Sequence, residues 1–131
     1  MFDGIQMDGK LYHVRVVFDT FQQDFDLIEG PNAGDMISGR HERDLLGTEY
    51  SYQFGVEMDP AHPDDYDTFF DDISAPVDSH TVTVPDGQGT RTFDAMIQSG
   101  SRKLRWKVAG RLWWCGLVIN YKPIEPQRPP E

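Results

Sequence analysis

The segment from Tyr50 to Met58 alternates apolar and polar residues without a break, and this period of two constrains the fold more than any other feature. Successive side chains of a β-strand point to opposite faces of its sheet, so the pattern is typical of a strand buried on one face. Similar but shorter stretches occur before and after it. The chain is therefore expected to be mainly β.

Two hairpins are predicted from their turns. Asp8-Gly9 separates two short apolar segments and is a strong signal for a two-residue turn. Further along, His80–Val84 and Thr90–Gln98 read as strands on either side of the turn-forming residues 85–89.

Two more strands are predicted near the C-terminus. In the segment Lys103–Val108, leucine, tryptophan and valine alternate with lysine and arginine. This pattern favours a strand with Leu104, Trp106 and Val108 inside and its basic side exposed. Leu112–Tyr121 is more continuously apolar, which favours a central strand buried on both faces.

One helix is predicted, over Pro63–Ser74. Its apolar residues Tyr66, Phe69, Phe70 and Ile73 follow helical spacing, and most of its other positions are aspartates. Proline suits the first helical turn, and early carboxylates favour the positive end of the helix dipole. We expect the apolar side to pack on the sheet and the aspartates to face solvent.

Together these elements predict a β-sandwich or partly closed barrel of about seven or eight strands, with one short α-helix packed on it. Residues 1–122 would form a single domain that contains a long loop at 30–47, and residues 123–131 an extended, proline-rich tail that cannot pair as a strand. The loop reads either as an assembly arm or as an ordinary loop with a helical turn at Glu42–Leu46. Neither a signal peptide nor a membrane-spanning segment is expected.

Charge is distributed unevenly along the chain, whose net charge is -10. Eleven acidic residues and no lysine or arginine lie between Asp44 and Gly89, whereas five basic residues and no acid lie between Ser101 and Arg111. Such a balance disfavours nucleic acid as a partner. The two regions are either solvated faces or the two sides of a contact between identical subunits. The candidate interface residues are Arg40, Arg43, Asp44, Asp64, Asp65, Asp71, Asp72, Lys103, Arg105 and Lys107.

No pattern in the chain indicates a catalytic centre, a cofactor or a metal site. The four histidines lie in separate segments without a partner at metal-ligand spacing. Calcium loops present their ligands from alternating loop positions, whereas the clustered aspartates here fall on a helix. Cys115, the one cysteine, excludes an intramolecular disulfide and reads as buried filler. We therefore expect no enzymatic activity.

Aromatic residues offer an alternative function. Six of them could form a carbohydrate-binding platform, although aromatics at alternating strand positions are more often part of the core. The six are Tyr50, Tyr52, Trp106, Trp113, Trp114 and Tyr121.

Several segments resemble small tail-region structural proteins from phages and prophages of Gram-positive bacteria. They follow one another in the same order and cover most of the chain, but none is a mechanistic motif. The matching segments are Glu29–Gly34, Ser38–Arg40, Arg43–Thr48, Asp65–Phe70, Ile73–Val82, Trp114–Leu117 and Pro126–Arg128.

The resemblance implies a virion component, made in the host cytoplasm, that self-assembles into a ring or stacked tube. It would be a homo-oligomeric structural subunit of the tail tube, the tail terminator or the baseplate ring, and its partners would be copies of itself and other tail proteins. It brings no catalytic residue, cofactor or membrane contact. The chain is shorter than distal tail proteins, which carry a second domain.

Overall fold

The computed structural model describes residues 4–31, 34–35, 39 and 41–129, which form a mainly β protein with one helix. The strands are β1 (Ile5–Met7), β2 (Lys10–Tyr12), β3 (Val14–Glu29), β4 (Gly34–Asp35), β5 (His41–Glu42), β6 (Leu45–Met58), β7 (His80–Asp86), β8 (Gly89–Met96), β9 (Lys103–Val108), β10 (Arg111–Cys115) and β11 (Leu117–Pro123). The helix, α1, spans Pro63–Ile73.

Seven strands form one antiparallel sheet in the order β2-β1-β7-β8-β11-β6-β3, and the strands at its two ends do not pair, so the sheet is not a closed barrel. Strand β8 meets β11 only through Ala95↔Pro123 and Met96↔Lys122, and the sheet turns there into two layers. The rings of Tyr52 and Phe93, from strands β6 and β8, lie 5.6 Å apart. This confirms the predicted mainly β, sandwich-like fold.

The core is formed by the apolar positions of alternating strands, as the period of two predicts. On β6, Tyr52, Phe54, Val56 and Met58 are buried, while Gln53 and Glu57 between them are exposed. Burial of these large side chains is the main favourable term for a domain of this size.

Helix α1 covers one side of the sandwich, and its predicted apolar face is confirmed. Tyr66, Phe69 and Ile73 are buried, and the ring of Phe69 lies 5.2 Å from that of Tyr12 at the end of β2. The aspartates, in contrast, do not all face solvent. Two of them are half-buried and are hydrogen-bonded to other elements of the fold.

These two aspartates attach the helix to the start of the sheet. The Asp72 carboxylate accepts a hydrogen bond from the Tyr12 hydroxyl, and Asp65 accepts one from the backbone N–H of His13 at 2.9 Å. Burial and the neighbouring Asp72 carboxylate raise the pKa of Tyr12 well above its usual range, which keeps the hydroxyl protonated as a donor.

The Asp8-Gly9 turn between β1 and β2 is confirmed. Asp8 and Gly9 have φ angles of +54° and +77°, as expected for a two-residue turn that follows the twist of its strands. The Asp8 carboxylate also accepts a hydrogen bond from the backbone N–H of Thr81 at 2.8 Å and lies 2.6 Å from Nδ1 of the buried His80. Burial alone would raise the pKa of Asp8, but the contacts with His80 and Thr81 outweigh it and hold that pKa below its usual value. The same contacts attach the turn to β7.

The prediction of one doubly buried strand over Leu112–Tyr121 is wrong. Gly116 has a φ of +72° and divides the segment into β10 and β11, which belong to different sheets. Along β11 buried and exposed residues alternate, so only one of its faces enters the core. The apolar sequence of Leu112–Tyr121 did not indicate this break, because a glycine is found in strands as well as in turns.

The segment 30–47 is only partly a loop. Strands β4 and β5 pair within it and β6 already begins at Leu45, so the alternative of a helical turn at Glu42–Leu46 is wrong. Strands β3 and β6 stay paired almost to this point, with Glu29 opposite Leu45. They form a ribbon whose distal half extends beyond the other strands.

The prediction that the C-terminal tail cannot pair as a strand is wrong, because Pro123 still pairs in β11 and Arg128 forms an antiparallel bridge with Thr48 of β6. The backbone N–H of Thr48 donates to the carbonyl of Arg128 at 2.8 Å, and the amide side chain of Gln127 bonds both the N–H and the carbonyl of Tyr50. Gly47 makes this possible, because a Cβ there would lie 2.5 Å from the Arg128 carbonyl oxygen.

Replacing Phe69 by alanine is expected to lower the free energy of unfolding by about 3–5 kcal/mol, because its side chain is fully buried. Val77→Ala, at an exposed position, is the control and should change it by less than about 0.5 kcal/mol. Equilibrium urea unfolding measures both. Equal stability of the two variants would contradict the docking of α1.

Replacing Gly47 by alanine is expected to release the tail, and Gly87→Ala is the matched control. Both glycines have positive φ, but a Cβ at Gly87 meets no atom within 4 Å. Hydrogen exchange at Thr48 and Arg128 should become faster in the Gly47 variant only. Unchanged protection in that variant would show that the tail is not held at this position.

Candidate functional site

Strands β9 and β10 form a separate two-stranded ribbon, joined by a turn in which Ala109 and Gly110 both have positive φ. All of β9 is exposed, and Leu104, Trp106 and Val108 are 52%, 48% and 53% exposed. The prediction that these three side chains lie inside is wrong. Their alternation is that of a strand, but β9 pairs only with β10 and no layer of the sandwich covers it.

The ribbon rests on the body through β10, and β9 is its outer strand. Trp113 and Trp114 are half-buried against the core, while their cross-strand partners Trp106 and Leu104 are exposed. Cys115, at the end of β10, is half-buried rather than buried, with a free thiol. The ribbon therefore presents the whole of β9 to solvent.

Arg102 anchors the base of this ribbon to α1. Its guanidinium carbon lies 4.0 Å from the ring centre of Phe70 and 4.2 Å from that of Trp114, and its Nη1 donates to Asp67 at 3.0 Å. Stacking between a guanidinium and two rings is strongest where water is excluded, and the Arg102 side chain is only 16% exposed. Sequence reasoning counted Arg102 with the basic region and missed this role.

The distal half of the β3–β6 ribbon is a second exposed surface, in which the tail lies along β6 while no described strand pairs with the outer edge of β3. Cross-strand pairs place Phe25 beside Tyr50 and Leu27 beside Thr48 on one face, and Asp26 beside Glu49 on the other. Phe25 is 67% exposed, more than any other large apolar side chain described. One face of this ribbon is thus apolar and the other acidic.

The candidate interface residues fall into three places. Lys103, Arg105 and Lys107 are exposed on β9, as predicted, and form no ion pair with any described residue. Near the end of the β3–β6 ribbon, Arg43 pairs with Glu29 at 2.8 Å, and the Asp44 carbonyl accepts from the N–H of Gly30. Arg40 lies outside the described residues.

The four candidate aspartates of α1 differ in their contacts. Asp64 and Asp71 are exposed and make no ion pair or hydrogen bond through their side chains within the described chain. Asp65 and Asp72 are hydrogen-bonded to His13 and Tyr12. The sequence pattern gives no reason to distinguish these four aspartates, because the residues that bind Asp65 and Asp72 come from a distant segment of the chain.

Two histidines that are far apart in the sequence meet in the fold. The rings of His13 and His62 are stacked with their centres 4.4 Å apart, and Nδ1 of His62 lies 3.4 Å from the Asp59 carboxylate. Even so, no group of three or more metal-ligating side chains occurs among the residues that the structure describes. No sequence signal predicted this contact, since it depends on how the helix follows β6.

The grooves of the surface differ in their chemistry. One, of about 310 Å³, lies between the end of α1 and β11, and none of its lining residues is ionisable. Another, of about 350 Å³, is lined in part by Asp64, Asp67 and Arg111, but Asp67 already bonds Arg102. Tyr66, on the buried side of α1, has a pKa raised to about 12 by burial, so its hydroxyl stays protonated at neutral pH.

Comparison with protein-family models and with curated protein sequences gives no match. Within the described ranges, no helix is long and apolar enough to cross a lipid bilayer.

Replacing Arg102 by alanine is expected to loosen the β9–β10 ribbon and to destabilise the protein by about 2 kcal/mol, since two ring contacts and a charged hydrogen bond are lost. Arg105→Ala is the control, because Arg105 stacks on the exposed Trp106 ring and forms no ion pair or side-chain hydrogen bond with the described residues. Hydrogen exchange of β10 and thermal unfolding report the effect. The hypothesis of an anchor fails if both variants behave alike.

Proposed function

We propose that this chain is a structural subunit of a phage or prophage tail that assembles with copies of itself into a ring or a stacked tube. The observation that carries the proposal is where exposed apolar side chains lie. Of thirteen large apolar residues exposed in the described chain, eight lie on the β9–β10 ribbon or on the distal half of the β3–β6 ribbon. They are Phe25, Leu27, Leu45, Leu46, Leu104, Trp106, Val108 and Leu112.

Exposed apolar side chains that cluster on one element support an interaction surface rather than chance exposure. The ribbons lie at opposite ends of β6. Residues Leu112–Trp114 border a groove with Met58, whereas the distal β3–β6 ribbon surrounds Leu45. A strand of 14 residues spans roughly 45 Å. Two unlike surfaces at opposite ends suit a head-to-tail contact, which closes into rings or extends into tubes.

Charge supports the same proposal in a different way. Exposed ion pairs contribute only about 0–1 kcal/mol each, so the basic residues of β9 would set orientation and register while apolar contacts provide affinity. The tail assignment itself comes from the resemblance of the sequence segments. The proposal places the protein in the virion, with other tail proteins as further partners, and gives it no catalytic role.

Carbohydrate binding is the second candidate, and one observation favours it. Trp106 is about half exposed and stands opposite Trp113 on the same face of the β9–β10 ribbon. An exposed indole ring beside a second, half-buried one can stack on a sugar ring. Of the other aromatics considered for a platform, Tyr52 and Tyr121 are buried in the core.

The oligomeric state tests the proposal. We expect sedimentation velocity to show concentration-dependent oligomers, and electron microscopy to show rings or tubes of uniform diameter. Raised salt should slow or misdirect assembly without unfolding the subunit, because it screens exposed charges. A chain that stays monomeric at all concentrations, while glycans quench its tryptophan fluorescence, would support the carbohydrate-binding alternative instead.

A further inference from the structure

Several strands of the described chain have an edge without a paired neighbour, and the strands β3 and β9 of the two ribbons are among them. Strand β3 ends the seven-stranded sheet and pairs only with β6, and β9 pairs only with β10. An edge strand presents unpaired backbone N–H and C=O groups, which can pair with a strand of another chain. These two edges belong to the ribbons described above.

The outer strand β9 has two unlike faces. Lys103, Arg105 and Lys107 lie on one face, and Leu104, Trp106 and Val108 lie on the other. Charges alone would protect an edge from unwanted pairing. The three large apolar side chains on the other face remain exposed, however, and this indicates that another protein surface covers that face of β9.

The segment 22–28 of β3 has the same alternation with the opposite charge. Asp24 and Asp26 lie on one face, and Phe25 and Leu27 lie on the other. If β9 is placed along this edge, its basic face meets the aspartates while its apolar face meets Phe25 and Leu27. Side chains of adjacent strands that share a face stabilise each other when they are apolar pairs or opposite charges.

The helix α1, which is also acidic, is less suited to this role. Asp65, Asp67 and Asp72 are already engaged by His13, Arg102 and Tyr12. The buried apolar side of α1 is turned into the core, and the exposed apolar residue that shares a groove with Asp64, Leu112, belongs to the β9–β10 ribbon of the same copy. An isolated pair of surface carboxylates offers charge without the apolar contact that β9 requires.

We infer that β9 of one copy pairs with residues 22–28 of β3 in a second copy, so that a continuous sheet crosses the boundary between subunits. The inference rests on the proposed self-assembly and names the surfaces that perform it. Because the two edges lie at opposite ends of β6, each copy offers β9 to one neighbour and β3 to another. The contact is therefore head-to-tail.

Charge reversal in trans tests this pairing. One variant carries K103E, R105E and K107E, and the other carries D24K and D26K. Each variant alone should fail to assemble, because like charges then face each other across the contact. An equimolar mixture should assemble again, since every junction between unlike variants pairs opposite charges. The mixture should contain both chains in equal amounts, in strict alternation.

The matched control is D64K with D71K, which makes the same change of charge at the exposed aspartates of α1. It should assemble like the wild type. All variants should keep the wild-type melting temperature, because the altered side chains are exposed. Hydrogen exchange of wild-type assemblies adds a second measurement, in which β9 and residues 22–28 should become protected relative to the monomer.

The outcomes separate the two proposals. Wild-type protein that remains monomeric overturns the proposed function and this interface together. If the wild type assembles and both charge-reversal variants also assemble alone, the interface is overturned and the proposed function is not. The same holds if only the D64K and D71K variant fails to assemble. Loss of assembly in each single variant, with recovery in the mixture and protection of both edges, supports the pairing of β9 with β3.

Discussion

Strand β6 is the constraint on which the rest of the structure depends. Its C-terminal half, around Phe54 and Val56, is buried between β3 and β11, and its N-terminal half continues beyond the core. Where β11 ends, the C-terminal tail takes over the same edge of β6 at Thr48 and Tyr50. One strand thus holds the sandwich together and supports the distal ribbon.

The two ribbons are held firmly at their bases, and no described strand pairs with the outer edge of β9 or of β3. Arg102 fixes the β9–β10 ribbon by stacking between Phe70 and Trp114. The β3–β6 ribbon is braced where β3 departs from regular pairing between Val17 and Gln22. There the Thr20 hydroxyl accepts from the N–H of Gly55 and donates to the Val17 carbonyl. Such fixed, exposed edges suit a surface whose partner is another protein strand.

Much of the fold could be predicted because it depends on local periodicity. The helix begins at Pro63 as predicted and ends at Ile73, one residue before the predicted end, and the Asp8-Gly9 turn forms because both residues tolerate positive φ. The site was predicted less well. The basic residues of β9 were found, but Trp106 and its apolar neighbours were placed inside, since alternation shows that a strand has two unlike faces without showing which is covered.

The sequence by itself determined the mainly β class, the apolar face of α1 and the charge asymmetry, because each follows from residue order over a few positions. Tertiary structure alone decided that Gly116 separates β10 from β11, that Arg102 joins the ribbon to the helix, and that the outer edges of β3 and β9 remain open. These features depend on pairings between distant segments. The number of possible pairings is large, and only the packed chain selects among them by burying the most apolar surface while keeping backbone groups hydrogen-bonded.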